Sequence, residues 1–145
     1  MEVNKTQIGY RIKQISTTKF SFEEIENEKN EILVFDSLDI NIKAKLDIDR
    51  INSEITILIN SEFSEKENKS VLIKHSGKTV FKFESLEILI NKENNNFEIP
   101  NNLLVQLYSL SYSHARALLA AENSRTIYKD KYFLPIIDPK MFIQK

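Results

Sequence analysis

Between Ile32 and Ile48, apolar residues hold the even positions (Ile32, Val34, Leu38, Ile40, Ile42, Ala44, Leu46, Ile48), while Asp39, Asn41, Lys43, Lys45, Asp47 and Asp49 hold odd ones. Successive side chains of an extended chain point to opposite sides, so this register gives one apolar and one wetted face. It predicts a half-buried antiparallel strand. Residues 50–52 interrupt the pattern and can turn the chain. Ile55, Ile57, Ile59 and Phe63 then continue on odd positions as a second long strand, followed by a polar loop over residues 64–69. Val71, Ile73, Phe81 and Phe83 suggest a third, interrupted at His75, Ser76 and Gly77, where the glycine predicts a bulge or tight bend. Upstream, Ile8, Tyr10 and Ile12 alternate, as do Phe20 and Phe22, which predicts a long, broken first strand. Short loops between four strands favour antiparallel pairing, because parallel neighbours need long crossovers. Residues 86–90 suit a further short strand or a helical turn, and residues 92–96 a polar linker.

From Pro100 the period changes. Pro100 suits a first helical turn and the following asparagines suit a cap, so a helix is expected from about there to Asn123. It would be about 30 Å long. Leu103, Leu104, Leu107, Tyr108, Leu110, Leu118 and Leu119 give it a broad apolar face that can cover a sheet. A second stripe of small residues, Ser109, Ser113, Ala117, Ala120, Ala121 and Ser124, would let another helix approach closely. Ser109, Ser113, Ala117, Ala120 and Ala121 are therefore expected to form an oligomer interface. The expected fold class is α+β: a four-stranded antiparallel sheet covered by a long C-terminal helix, in one domain spanning residues 1–145.

Chemistry is harder to find. With only Gly9 and Gly77, no phosphate-cradling loop is possible. There is no cysteine, hence no disulfide or thiolate site, which suits a reducing compartment. His75 and His114 have no metal-ligand spacing and read as satisfied core or interface histidines; no metal and no cofactor is expected. Ser111, Ser113 and His114 are too close on a helix to face one another as a nucleophile and base. Asp39, Asp47 and Asp49 fall on the solvated strand face, and with Asp36 they do not read as catalytic carboxylates. An enzyme is not expected. Net charge is −1, so no strong field draws the chain to nucleic acid or an anionic membrane. The N-terminus lacks the apolar core of a signal peptide, and no run approaches the roughly 20 apolar residues of a membrane span. A cytoplasmic protein is expected.

The remaining feature is aromatic. Tyr128, Tyr132, Phe133 and Phe142 crowd near Ile127, Leu134, Ile136, Ile137 and Met141 after the helix. Such residues either close the core below the sheet or line an apolar groove for extended polypeptide, to which aromatics and a flexible Met are suited. Phe20, Phe22, Tyr128, Tyr132, Phe133, Met141 and Phe142 are the candidates for contacting a polypeptide client.

Three segments then carry a likeness. Lys19-Phe20-Ser21-Phe22-Glu23 resembles the early "SFE" segment of the SecB family of export chaperones. Tyr112-Ser113-His114-Ala115-Arg116 resembles that family's "PYAR" helix motif, with Ala115 and Arg116 at matching positions. The stretch from Leu134 through Pro135, Ile136 and Ile137 to Phe142 resembles its "L-P-I-N-F" stretch. In element order the likeness spans almost the whole chain. It implies a homotetramer built as a dimer of dimers with the long helices at the interface. It also implies ATP-independent holding of unfolded preproteins in apolar grooves and hand-over to the SecA export motor. The chain departs from the family pattern between Ser124 and Phe133, where no glycine occurs, and in ending at Lys145, which leaves a stub of the second helix. It is also near neutral where SecA-binding members are acidic. A chaperone dedicated to one client, such as an antitoxin, fits these departures as well as an export holdase does. From a different class, an oligomeric assembly module that recognises one folded partner is the rival. Arg116 is expected to act structurally, pairing with a carboxylate or a helix-end group.

Overall fold

The computed structural model describes residues 9–24 and 35–143. Strands β1 (Tyr10–Phe22), β2 (Leu38–Asp49), β3 (Glu54–Glu65) and β4 (Val71–Phe83) form one sheet in the order β1-β4-β3-β2. Each neighbouring pair is antiparallel. Helix α1 (Asn101–Asn123) packs on one face. The predicted α+β class, sheet and long helix are all present. Ile8, Ile32 and Val34, which the alternation placed in the first two strands, lie outside the described residues. Residues 86–90 form a 3-10 turn at Glu87–Leu89 and then enter β5 (Ile90–Asn91), so both readings of that stretch hold in succession. The expected linker over 92–96 closes a small hairpin between β5 and β6 (Asn96–Phe97).

Register explains the core. Ile40, Phe63 and Ile73 lie side by side across β2, β3 and β4, as do Ile48, Ile55 and Phe81. Ile55, Ile57, Ile59 and Phe63 are fully buried, each stabilising the fold by about 1.5–3 kcal/mol. The β2–β3 turn is set by Asp49, whose carboxylate accepts from Asn52 N (3.1 Å) and Asn52 Nδ2 (2.7 Å). Those bonds hold the Asp49 carboxyl below its ordinary pKa. Arg50 then clamps Glu87 through Nε and Nη2 (3.0 and 3.1 Å) and reaches Asn95 Oδ1 (3.1 Å), tying that turn to the small hairpin.

The broken phase of β1 has a simple cause. Its pairing with β4 shifts between Ile12 and Gln14 and again between Thr17 and Lys19. Each bulge inserts one residue and reverses the parity of the positions after it. Tyr10, Ile12, Ile15, Thr17, Phe20 and Phe22 pair respectively with Phe83, Phe81, Thr79, Gly77, His75 and Ile73. They share the sheet face that α1 covers although their numbers change from even to odd and back.

Gly77 corrects the sequence reading. β4 runs through it without a break, and the bulge lies in the partner strand, between Thr17 and Lys19, opposite Gly77 and Ser76. The glycine serves packing instead. A Cβ there would stand 3.3 Å from Ala115 Cα, Ala115 Cβ and Leu118 Cδ1. The helix rests directly on the strand backbone. Leu103, Leu107, Ser111, Ala115 and Leu119 form the buried face of α1. At its C-terminal end, Ser124 Oγ and Thr126 Oγ1 donate to the carbonyls of Ala121 (2.6 Å) and Asn123 (3.1 Å), which also accept Ser124 N (3.3 Å) and Thr126 N (3.0 Å). Gly77→Val, despite a better strand propensity, should lose about 1–3 kcal/mol of stability by urea denaturation, because it pries α1 from β4. The outward-facing Lys78→Ala should stay within about 0.5 kcal/mol of the native protein.

Candidate functional site

After α1 the chain turns over residues 124–131 and buries two tyrosines. Tyr128 and Tyr132 stack on each other with ring centroids 4.9 Å apart, and Tyr132 lies over Phe63 of β3 at 6.3 Å and 16°. The Tyr128 hydroxyl donates to the Glu23 carbonyl just beyond β1. Burial, helped by Tyr132 and nearby carboxylates, pushes its pKa up to about 12, so it remains a protonated donor at neutral pH.

The chain then runs back along the helix as an extended strap. Asn123 Nδ2 donates to the Tyr132 carbonyl (3.4 Å), Arg116 Nε to Leu134 (3.1 Å), and the Tyr112 hydroxyl to Pro135 (2.5 Å). Spacings of four and seven put Tyr112, Arg116 and Asn123 on one flank of α1. Leu134 is buried beneath the strap. A 3-10 turn at Pro139–Phe142, capped by Asp138 accepting from Lys140 N (3.0 Å), ends it. There Phe142 rests on Tyr108 and Tyr112, with centroids 5.5 and 5.9 Å away. On the other flank Gln106 accepts the Tyr10 hydroxyl from β1, so the strap flank faces the β3–β2 half of the sheet.

Apart from single residues in turns such as Ile51 and Ile88, apolar surface stays open along both edges of the sheet and on the strap. Helix α1 packs mainly on β4, β3 and β1, and the inward residues of the edge strand β2 (Ile40, Ile42, Ala44, Leu46, Ile48) are only half-buried. Beside them the strap exposes Phe133 (50%), Ile136 (84%) and Met141 (60%). The edge strand and the strap thus each leave apolar side chains open. At the β1 edge, Ile12, Ile15 and Phe22 are exposed.

The structure distributes the seven candidate client residues. Tyr128 and Tyr132 are core anchors by position, whereas Phe133 and Met141 are exposed on the strap and Phe142 is half-buried. Phe20 and Phe22 stack on each other at 5.8 Å on β1, with Phe20 edge-on to His75 at 6.3 Å. Hence Phe20, Phe22, Tyr128 and Tyr132 gather at one end of the sheet, while Met141 and Phe142 lie toward the N-terminal half of α1. Ser113, Ala117, Ala120 and Ala121 are exposed and Ser109 is half-exposed, on the helix face turned from the sheet. Arg116 acts structurally, but on a backbone carbonyl rather than a carboxylate or the helix end. Sequence reasoning missed the β2 stripe as open surface. Its alternation marked an apolar face but carried no sign of how far the helix reaches.

Both histidines sit between helix and sheet. His75 Nε2 is hydrogen-bonded to Thr17 Oγ1 (3.0 Å) and His114 Nδ1 to Thr79 Oγ1 (2.9 Å). Burial pushes both below the ordinary value of 6.5, with Glu122 partly opposing this at His75. The unfolded chain therefore takes up protons at a higher pH than the folded one. Stability is full above 6.5 and declines as the pH drops from there through the lower folded-state values. Urea midpoints should accordingly fall between about pH 7 and about pH 5, and His75→Gln combined with His114→Gln should flatten that decline.

A four-stranded antiparallel sheet carrying one long helix on one face makes this an α+β fold. The particular likeness is to the Rv1957 SecB-like chaperone of Mycobacterium tuberculosis, solved in complex with a ChAD peptide from the Rv1956 HigA1 antitoxin. The TM-score is 0.55 at 12% identity, over 88% of this chain and 87% of that one. The fold is SecB-like. A protein of unknown function from Streptococcus agalactiae superposes with a TM-score of 0.46 at 10% identity, over 90% of this chain and 100% of that one. No protein-family model and no curated protein sequence matches the chain. Among the described residues no helix is long and apolar enough to cross a membrane.

Proposed function

We propose that the protein is a cytoplasmic, ATP-independent chaperone without catalytic activity, which holds extended apolar polypeptide in the groove between β2 and the strap. The half-covered stripe on β2 carries this reading. It offers five alternating apolar residues beside a strand edge that pairs with no further strand among the described residues, a geometry that takes an added strand by main-chain bonds and its side chains by pockets. Each client side chain that becomes fully buried would add about 1.5–3 kcal/mol, so several must engage at once. The SecB-like neighbour with its antitoxin peptide supports a client that is one specific polypeptide as much as a range of unfolded preproteins. SecA is a partner under the export reading alone.

The test is aggregation of a slow-folding protein without nucleotide. The native protein should suppress it near one oligomer per client, and Phe133→Ser with Ile136→Ser should lose most of that suppression while keeping the urea midpoint. Tyr132→Ala should instead lose about 3–5 kcal/mol of stability, as a core truncation does. Full suppression by the Phe133/Ile136 variant would remove the groove from the reading. No suppression by the intact native protein leaves the dedicated client, to be sought as a peptide that saturates the same groove.

We also propose that copies assemble through the helix face bearing Ser109, Ser113, Ala117, Ala120 and Ala121, as a dimer or a dimer of dimers. These small residues are exposed and would let two helices approach closely. Ala117→Arg with Ala121→Arg should lower the mass seen by sedimentation to that of the next smaller species. An unchanged mass would place the interface elsewhere.

A further inference from the structure

The face of the sheet turned away from α1 has a charge pattern the groove does not use. Register across the strands sets its side chains in rows: Ser16, Lys78, Leu58 and Lys45; then Lys19, Ser76, Asn60 and Lys43; then Ser21, Lys74, Glu62 and Asn41. These three rows hold five lysines against one glutamate, in a chain whose net charge is −1. Lys19, Lys43, Lys45 and Lys74 are exposed and Lys78 is partly so. Lys45 has a loose partner in Asp47 at 3.8 Å, whereas Lys19, Lys43, Lys74 and Lys78 form no ion pair among the described residues. A depression of about 220 Å³ opens among Lys19, Lys43, Lys74, Asn60, Glu62 and Ser76. The Ser76 hydroxyl donates to Asn60 Oδ1 (2.5 Å) across its floor.

We propose that this face binds an acidic, extended polypeptide segment running along the strands. Rows two residues apart on a strand repeat at about 6.8 Å, the same repeat as the side chains on one side of an extended peptide. Carboxylates at every second residue of such a peptide fall in step with the three lysine rows, and the Asn and Ser side chains between them can bond its amides. A nucleic acid strand fits less well. Its continuous phosphate charge would meet Glu62 within the patch and Asp39, Asp47 and Asp49 along β2. The outward positions of these strands also hold no aromatic ring for a base to stack on. The site lies on the opposite side of the sheet from the apolar groove, so it stands whether or not the groove holds clients.

Fluorescence anisotropy with three labelled probes tests it: an alternating Glu-Ser peptide, a Gln-Ser peptide of equal length, and a single-stranded oligonucleotide. The Glu-Ser peptide should bind at least about tenfold tighter than the other two and weaken as salt is added. Lys43→Glu with Lys74→Glu should reduce its affinity by at least about tenfold, and Lys43→Gln with Lys74→Gln by less, at an unchanged urea midpoint. The Phe133→Ser, Ile136→Ser variant should bind it as the native protein does. Equal binding of the Gln-Ser peptide, indifference to the lysine substitutions, or loss of binding in the groove variant would each overturn the proposal. Tighter binding of the oligonucleotide would overturn it in favour of nucleic acid.

Discussion

Everything about the open surface depends on the contact between Gly77 and Ala115. With no side chain on the strand and one methyl on the helix, α1 settles against the backbone of β4. β4 is the second strand of the sheet, counting from the β1 edge. A helix about 10–12 Å wide seated there covers β4 and β3 and leaves inward side chains of both edge strands partly open, Ile12 and Ile15 on β1 and the stripe on β2. The half-buried stripe on β2 is therefore a consequence of where the helix sits. Larger residues at the contact would have raised the helix and loosened the whole layer.

The strap completes what the helix leaves undone. Its apolar residues alone would not hold an extended segment without a sheet partner, since its carbonyls need donors where water is excluded. Asn123, Arg116 and Tyr112 supply them, at Tyr132, Leu134 and Pro135. The stacked pair Tyr128 and Tyr132 pins the start of the strap to β3 and, through Glu23, to the end of β1. Phe142 pins its far end to Tyr108 and Tyr112. Between these anchors the backbone is fixed, while Phe133 and Ile136 turn outward. The segment is tied down through its main chain and leaves these side chains open.

Regular elements were legible in the sequence because their signals are local. The parity of Ile40 to Ile48 and of Ile55 to Phe63 named two strands and their buried faces, and the change of period after Pro100 named the helix to its last residue. β1 was harder, because two bulges reverse its phase, and only pairing with β4 shows that Ile15 belongs with Tyr10 and Phe20. Gly77 looked like a break since a glycine in a strand usually marks one; its real partner, Ala115, lies 38 positions away in the sequence. The aromatic cluster was visible as a group, yet a residue's type does not say whether it faces in or out. Tyr132 and Phe133 are neighbours with opposite fates, set by the turn that precedes them.

The two edges of the sheet are unlike. β1 carries two bulges, which twist its outer rim and spoil it as a template for another strand, whereas β2 pairs with β3 in unbroken register and leaves a straight rim. Of the two, β2 alone presents an unbroken rim to a further strand. A chain with a single adhesive rim can join one neighbour rim to rim, and both rims are then spent. Rim-to-rim pairing then stops at two copies, so this asymmetry ends the edge-to-edge growth of sheets that would otherwise lead to fibres.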